Sequence, residues 1–451
     1  MTTGEKADFA GGFPESENPF IGPDAPDRRM IQRCIHCGSC VTSCPTFTLL
    51  GNEMDSPRGR IYIMRLVAEG EMAPDETVMK HLDRCLDCRA CETACPSGVP
   101  YGSLIEAARE GLEKIRKRSL PVRVFRRFLF RCLLPSRTLL RLAGAATRLY
   151  QATFLKSLLR GLGLLPGKLA ELEPMMPEAP PISSMRALPP EVAPIGEQKH
   201  RVAFFGGCIQ SILFGDVNRA AVRALAANGT RVVFPAVQTC CGALQAHAGD
   251  REAARILARQ NLDAIDAAGF DAVVLAGAGC AAMLYEYGDL LASDPVYASR
   301  AAAFSDKAMD VTVFLARIGV REAHHPEPRK IAYHHPCHLF HALKVRSEPI
   351  EVLTAIRNLD IVPLEESDWC CGSAGSYNLT HTEISMGLLD RKMGHVKDSE
   401  VPVVCTGNPG CQIQIAFGAR ERGMDLRVVH PVVLLDEAYE AEGVYRGATL
   451  P

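Results

Sequence analysis

Residues 34–45 read Cys34-Ile35-His36-Cys37-Gly38-Ser39-Cys40-Val41-Thr42-Ser43-Cys44-Pro45, and residues 85–96 read Cys85-Leu86-Asp87-Cys88-Arg89-Ala90-Cys91-Glu92-Thr93-Ala94-Cys95-Pro96. Both are Cys-x2-Cys-x2-Cys-x3-Cys-Pro runs. Three thiolates two residues apart let one short loop reach three corners of a cubane, with backbone N–H groups turned toward its sulfides. The fourth Cys is poorly placed to close the same cluster, and in two-cluster ferredoxins it ligates the other one. The pattern predicts two [4Fe–4S] clusters, one on Cys34, Cys37, Cys40 and Cys95, the other on Cys85, Cys88, Cys91 and Cys44. Zinc sites draw four ligands from two Cys-x2-4-Cys pairs, so two identical runs of four fit zinc poorly. Thiolate-ligated clusters move single electrons and offer no general base, so the runs point to an electron carrier.

Working outward, residues 31–112 form the segment that holds both runs, with a helical stretch expected around Arg60–Gly70. Residues 1–30 have no hydrophobic period and are expected to be a mobile arm. The stretch 113–171 is a basic, apolar helical segment: from Lys114 to Lys168 it has fourteen Lys/Arg and no Asp or Glu. Residues 172–200 are Pro-rich and read as a linker. From Arg201 the pattern alternates, with strands expected over 201–205, 231–234 and 272–275 and helices over 216–228 and 251–268. That alternation implies βαβ units on a parallel sheet.

This last region is duplicated. Cys208, Cys240-Cys241-Gly242 and Cys280 recur as Cys337, Cys370-Cys371-Gly372 and Cys411, at offsets of 129, 130 and 131 residues. Matched landmarks at a near-constant offset mean two copies of one module, placed at 201–325 and 326–440. The fold class is therefore multi-domain α+β: a small α-helical two-cluster ferredoxin domain, then two duplicated α/β cysteine-rich modules. Adjacent cysteines need a sharp turn, which Gly242 and Gly372 allow because Gly tolerates positive φ. The eight module cysteines (Cys208, Cys240, Cys241, Cys280, Cys337, Cys370, Cys371 and Cys411) are candidates for a further iron–sulfur cluster, for zinc, or for a redox thiol pair. Buried structural cysteine is the competing reading. Cys132 and Cys405 have no repeat partner. The histidine-dense stretch Tyr333-His334-His335-Pro336-Cys337-His338-Leu339-Phe340-His341 is read as a loop without a ligand role.

Composition narrows the function. The 50 basic residues nearly balance the 52 acidic ones, and 6% of residues are aromatic, which argues against a nucleic-acid partner. Eighteen cysteines without an apolar leader read as metal-binding or redox-active in a cytoplasmic chain. The longest uncharged apolar stretch, 272–285, is too short to span a bilayer. Basic residues interleaved with Leu, Val and Phe, as in Val122–Arg131, suit either an anionic membrane surface, bringing the clusters near a quinone, or docking on a partner subunit.

The stretch Arg33–Gly59 (RCIHCGSCVTSCPTFTLLGNEMDSPRG) followed by His81–Gly102 (HLDRCLDCRACETACPSGVPYG) resembles the iron–sulfur subunit of glycolate oxidase. The duplicated Cys…Cys-Cys-Gly…Cys module resembles the cysteine-rich domain of heterodisulfide-reductase-type proteins. The resemblance implies an electron-transfer subunit of a flavin-dependent glycolate dehydrogenase complex. Flavin would sit on partner subunits that oxidise glycolate to glyoxylate, electrons would pass toward a quinone or other acceptor, and the isolated chain would not oxidise glycolate. Cytoplasmic placement, peripheral on the inner face of the cell membrane, follows. Related complexes acting on glycerol-3-phosphate or lactate, and a heterodisulfide-reductase-like thiol/disulfide enzyme, are the alternatives. Modules of the latter kind usually end in Cys-x-x-Cys, whereas here Met283 and Gln414 stand where the second thiol would be, which speaks against non-cubane double-cluster chemistry.

Overall fold

The computed structural model describes residues 18–22, 24–153 and 167–451. They divide into two units, one of residues up to 118 together with 246–250, the other of 119–245 and 251–451.

The first unit is helical. Its longer helices are Pro57–Ala68, Glu76–Asp83 and Tyr101–Ile115. Each of the first two starts at a side-chain cap: Ser56 accepts from Gly59 N, and Asp75 from Val78 N. Such caps satisfy N–H groups that a helix start leaves unpaired. The helices bury Ile61, Met64, Val67, Leu82, Leu104, Ile105 and Leu112 in one core, which both cysteine runs skirt. The mobile arm expected over 1–30 falls largely outside the described residues. Residues 1–17 and 23 lie outside the described residues, but Phe20 is in the core and Asn18 Nδ2 donates to Val67 O at 2.7 Å. A single buried aromatic ring is enough to tie this stretch down, and one Phe among Pro and Gly gives no periodic signal.

The second unit holds two sheets. Strands β1 (Glu191–Val192), β2 (His200–Phe204), β3 (Thr230–Val233), β4 (Ala272–Leu275) and β5 (Ala308–Asp310) are ordered β1-β3-β2-β4-β5. Strands β6 (Ala323–Tyr333), β7 (Ile356–Val362), β8 (Val403–Cys405) and β9 (Arg427–Val429) are ordered β7-β6-β8-β9. All pairings are parallel except β1 with β3. Buried strands such as Ala272–Leu275 are continuously apolar, as a sheet covered on both faces requires. The two sheets share one apolar core, and the helices Gly215–Ala227 and Pro431–Ala441 are joined across it by the Arg223–Asp436 ion pair.

The Pro-rich stretch read as a linker is packed rather than free. Met175, Ala179, Met185 and Val192 are buried, and β1 extends the first sheet. Proline suits this edge, where a missing N–H costs no ladder bond. Of the basic segment, Leu120–Phe128 and Arg137–Ala152 are helices, joined by a π-turn at Leu129–Leu133. The part of that segment over 154–166 lies outside the described residues.

Candidate metal centres

In the first unit the two runs adopt the same backbone course. His36 (φ 54°) and Gly38 (φ 85°) match Asp87 (φ 54°) and Arg89 (φ 63°). These left-handed residues turn each loop around a hollow. One cavity is lined by Cys34, Cys37, Cys40, Cys91 and Cys95, with Arg58 at its wall. The other is lined by Cys44, Cys85, Cys88 and Cys91, with Arg60, Arg89 and Tyr101. The fourth Cys of each run thus reaches the hollow of the other run. Backbone donors also point at sulfur: Asp87 N lies 3.3 Å from Cys85 Sγ, and Val99 N lies 3.5 Å from Cys95 Sγ. A soft, four-thiol donor set with N–H donors around it fits a [4Fe–4S] cluster. Burial raises Cys34, Cys40 (to about 11) and Cys91 above the ordinary thiol range, and neighbouring sulfurs add to each rise. Loading metal at these positions therefore releases protons.

Sequence reading missed the charged groups around the second cavity. Asp55 is fully buried, and its carboxylate meets His81 Nδ1 and Arg84 Nη1, both at 2.9 Å, and Arg60 Nη2 at 3.5 Å. Arg60, 1% exposed, also donates to His81 O and Thr46 Oγ1. Arg89 Nε donates to Asp87 Oδ1 at 2.7 Å and its other nitrogens approach Glu92 and Glu106. Gly102 makes room for it, since a Cβ there would lie 1.7 Å from the Arg89 guanidinium carbon. His247 Nδ1 closes the set, 3.2 Å from Asp87 and 3.0 Å from Glu106. Arg89 and Asp87 sit inside the second run and could have been singled out as charged residues where the first run has Gly38 and His36.

In the second unit the module cysteines follow the carboxyl ends of three adjacent strands. Cys208 follows β2, Cys240-Cys241 follows β3, and Cys280 follows β4; Cys337, Cys370-Cys371 and Cys411 follow β6, β7 and β8 in the same way. That end of an α/β sheet is where ligands bind, and it explains why residues far apart in sequence meet. Gly242 (φ 94°) and Gly372 (φ 89°) take the turn after each cysteine pair.

The two thiol sets differ chemically. In the first module Cys208 and Cys240 sulfurs are 3.4 Å apart, and Cys241 and Cys280 sulfurs 3.2 Å. Cys208 is held well above the usual range by its bond with Cys240 and by burial. Cys241 is also held high: its bond with Cys240 pulls it down, but the bond with Cys280 and burial outweigh that. In the second module Cys337 is held well below the usual range by hydrogen bonding from Cys370 and by His338, whose Nδ1 is 3.5 Å away. Cys371 is likewise lowered, by Cys370 and Cys411. The buried Lys392 stands nearby, its own ammonium lowered to about 8 by burial. Asn408 joins the two sets: its Oδ1 accepts from Gly279 N at 3.3 Å, and its Nδ2 donates to Cys411 Sγ at 3.3 Å. Cys405 is buried on β8 and Cys132 is exposed.

Comparison with known proteins agrees with this architecture. Residues 30–99 match the 4Fe-4S dicluster domain family, residues 202–285 and 331–416 the cysteine-rich domain (CCG), and residues 121–176 the linker region of the glycolate oxidase iron–sulfur subunit. The chain is 39% identical to the "Probable glycolate oxidase iron-sulfur subunit" of Bacillus subtilis over 91% of its length and 95% of the relative's. It is 35% identical to the glycolate oxidase iron–sulfur subunit of Escherichia coli, over 92% and 95%. Lactate utilization protein A of Oceanobacillus iheyensis is 30% identical over 52% of this chain and 96% of its own. With its dicluster unit, its paired cysteine-rich modules and relatives matched along nearly their whole length, the chain belongs to the family of glycolate oxidase iron–sulfur subunits.

Proposed function

We propose that the chain takes electrons from a flavin-binding partner that oxidises glycolate to glyoxylate and delivers them toward a quinone or another acceptor. The coarser statement needs no proposal: it is an iron–sulfur, electron-transferring component of an oxidoreductase complex. One observation carries the electron-transfer role, namely the gathering of Cys34, Cys37, Cys40 and Cys95 around one hollow and of Cys44, Cys85, Cys88 and Cys91 around another; the glycolate and flavin parts rest on the relatives. We assign one [4Fe–4S] cluster to each set. Bound there, such a cluster supplies a one-electron carrier. Arg58, Arg60 and Arg89 offset the thiolate charge. Substrate chemistry is assigned to a partner. The chain purified alone without oxygen should carry about eight irons and about eight sulfides in the first unit, and should leave glycolate untouched. Together with its flavin partners, it should be reduced when glycolate is added. Glycolate turnover by the chain alone would reject the reading.

The helix Leu120–Phe128 favours contact with an anionic membrane surface. None of its residues is buried. Leu120, Val124, Phe125 and Phe128 are exposed along one side, and Arg123, Arg126 and Arg127 fall on the other. The helix Arg137–Ala152 also leaves Leu139, Leu142 and Leu149 exposed. Apolar and cationic faces without acidic residues match an interfacial helix, each Lys or Arg adding about 1 kcal/mol near anionic lipid. No helix among the described residues is long and apolar enough to cross a membrane. Sedimentation with phosphatidylserine vesicles, but not phosphatidylcholine vesicles, is expected, with loss in the Phe125→Ser, Phe128→Ser double variant. Vesicle-independent loss of flavin-partner binding in that variant would instead assign the surface to the partner.

A further inference from the structure

We propose that the second cysteine-rich module holds a single divalent metal ion of the zinc or ferrous class, with a ring nitrogen of His334 as a ligand beside Cys371 and Cys411, and that the first module does not. His334 follows β6 directly, and its backbone N donates to Cys405 O at 2.9 Å. It is 1% exposed, and its ring interacts with the Cys371 thiol. The groups facing it are sulfurs: one ring nitrogen, Cys371 Sγ and Cys411 Sγ all lie within 4.8 Å of one another.

That spacing suits a single ion. Bonds of about 2.0–2.3 Å from one tetrahedral ion place its donors roughly 3.3–3.8 Å apart. Thiolates on separate corners of a cubane stand farther apart than these donors do. The mixed nitrogen and sulfur donor set suits zinc or ferrous iron rather than a hard, oxygen-seeking ion. Cys370 is hydrogen-bonded to Cys371 and to Cys337, which makes it the candidate for the fourth position. Asn408 Nδ2, donating to Cys411 Sγ, is the outer hydrogen bond that ligating sulfurs commonly receive.

The first module supplies an internal control. Phe205 occupies the matching place: it follows β2, its N donates to Val274 O at 2.8 Å, and it precedes Cys208 by three residues, as His334 precedes Cys337. Phe205 is 1% exposed and can ligate nothing. Ile209 stands where the second module has His338. The same turn and the same four thiols are therefore kept in both copies, while the nitrogen ligand is present in one.

The test uses the full chain, purified anaerobically, with metal content by mass spectrometry and X-ray absorption at the zinc and iron edges. Expected is one ion beyond the cluster iron, with one nitrogen and about three sulfurs in its shell. His334→Phe, which installs the first module's residue, should lower occupancy of that ion at least tenfold while the visible absorbance of the clusters stays. His334→Cys should keep the ion with an all-sulfur shell, which separates ligation from misfolding. Cys280→Ser, in the first module, should leave it in place. One zinc or one mononuclear ferrous ion supports the proposal, and the absorption edge tells them apart. A third multi-iron cluster, or an ion whose occupancy ignores His334, would overturn it without touching the reading of the first unit.

Discussion

The two cysteine runs share spacing and backbone course yet sit in opposite surroundings. In the first run Cys37 is exposed and Ile35 is 67% exposed; in the second, Cys85, Cys88 and Cys91 are all buried. The same left-handed position is filled by Gly38 in one and by Arg89 in the other. A non-Gly residue there costs on the order of 1–3 kcal/mol, and Arg89 persists because Asp87, Glu92 and Glu106 hold its guanidinium. The difference teaches that the run itself sets how a loop wraps a cluster. The residues packed behind the run set how wet and how charged that cluster is.

The largest expected effect comes from the anion behind the second run. Asp55→Ala would leave Arg60 buried without its carboxylate, and removing one partner of a buried pair costs about 3–5 kcal/mol. Denaturant unfolding of the cluster-loaded protein should register that loss. Glu53→Ala, which removes the exposed partner of Arg58 beside the first run, should leave the unfolding midpoint unmoved. If the two variants unfolded alike, the contrast between a buried and an exposed surround would be wrong.

A second contrast concerns potential. Arg89→Met removes a buried cation from the wall of the second cavity, which favours the less negative, oxidised form. We expect that cluster's midpoint to fall by on the order of 50 mV, roughly 1.2 kcal/mol for one electron. Arg58→Met acts on the solvent-facing cavity, where water screens the charge, and should shift its cluster by clearly less. Redox titration followed by electron paramagnetic resonance separates the two signals; equal shifts would mean that burial does not govern the tuning.

The third contrast is with pH. Burial disfavours a charge on His247, but Asp87 and Glu106 overcome it and hold the imidazole up to about 10. A folded pKa raised above the unfolded value of about 6.5 gives stability that is complete below the latter and is lost as pH rises through 10. The first unit should therefore unfold more easily at pH 10.5 than at pH 7, and His247→Gln should flatten that dependence. An unchanged slope in the variant would remove His247 from the charged network behind the second run.

Much of this was readable from the chain. The duplication follows from landmarks repeated at a near-constant offset, and the strands β2, β3 and β4 from short apolar runs, because buried parallel strands are locally encoded. What was not readable depends on residues that meet only in three dimensions. Asp55, Arg60 and His81 form one buried set from three separate segments, and no period links them. Phe20 anchors a stretch that composition assigns to an arm, and β1 adds an edge strand inside a Pro-rich stretch. His334 was visible within a histidine-dense stretch, but its approach to Cys371 and Cys411 depends on β6 lying between β7 and β8. Strand order is set by the crossovers and not by the local sequence.

The smallest expected effect falls on the exposed run, and on rate rather than stability. Ile35 stands in the open beside Cys37, and His36 meets the half-exposed Tyr62 edge-on at 6.0 Å. Electron exchange needs close approach, and the cavity lined by Cys34, Cys37, Cys40 and Cys95 is the one of the two whose thiols include an exposed sulfur. We expect a redox partner to approach here rather than at the buried run. Ile35→Glu removes an apolar contact and places a charge on that face, while burying nothing. Surface substitutions of this kind change stability by less than about 0.5 kcal/mol, so the melting curve and both midpoints should be unchanged. Reduction of the clusters by the proposed flavin partner, followed by stopped-flow absorbance, should slow several-fold, and added salt should alter the size of the defect because a rim charge acts mainly on encounter. A variant that exchanged electrons at the normal rate at every ionic strength would show that the partner approaches elsewhere, and the openness of the first run would then be a matter of packing alone.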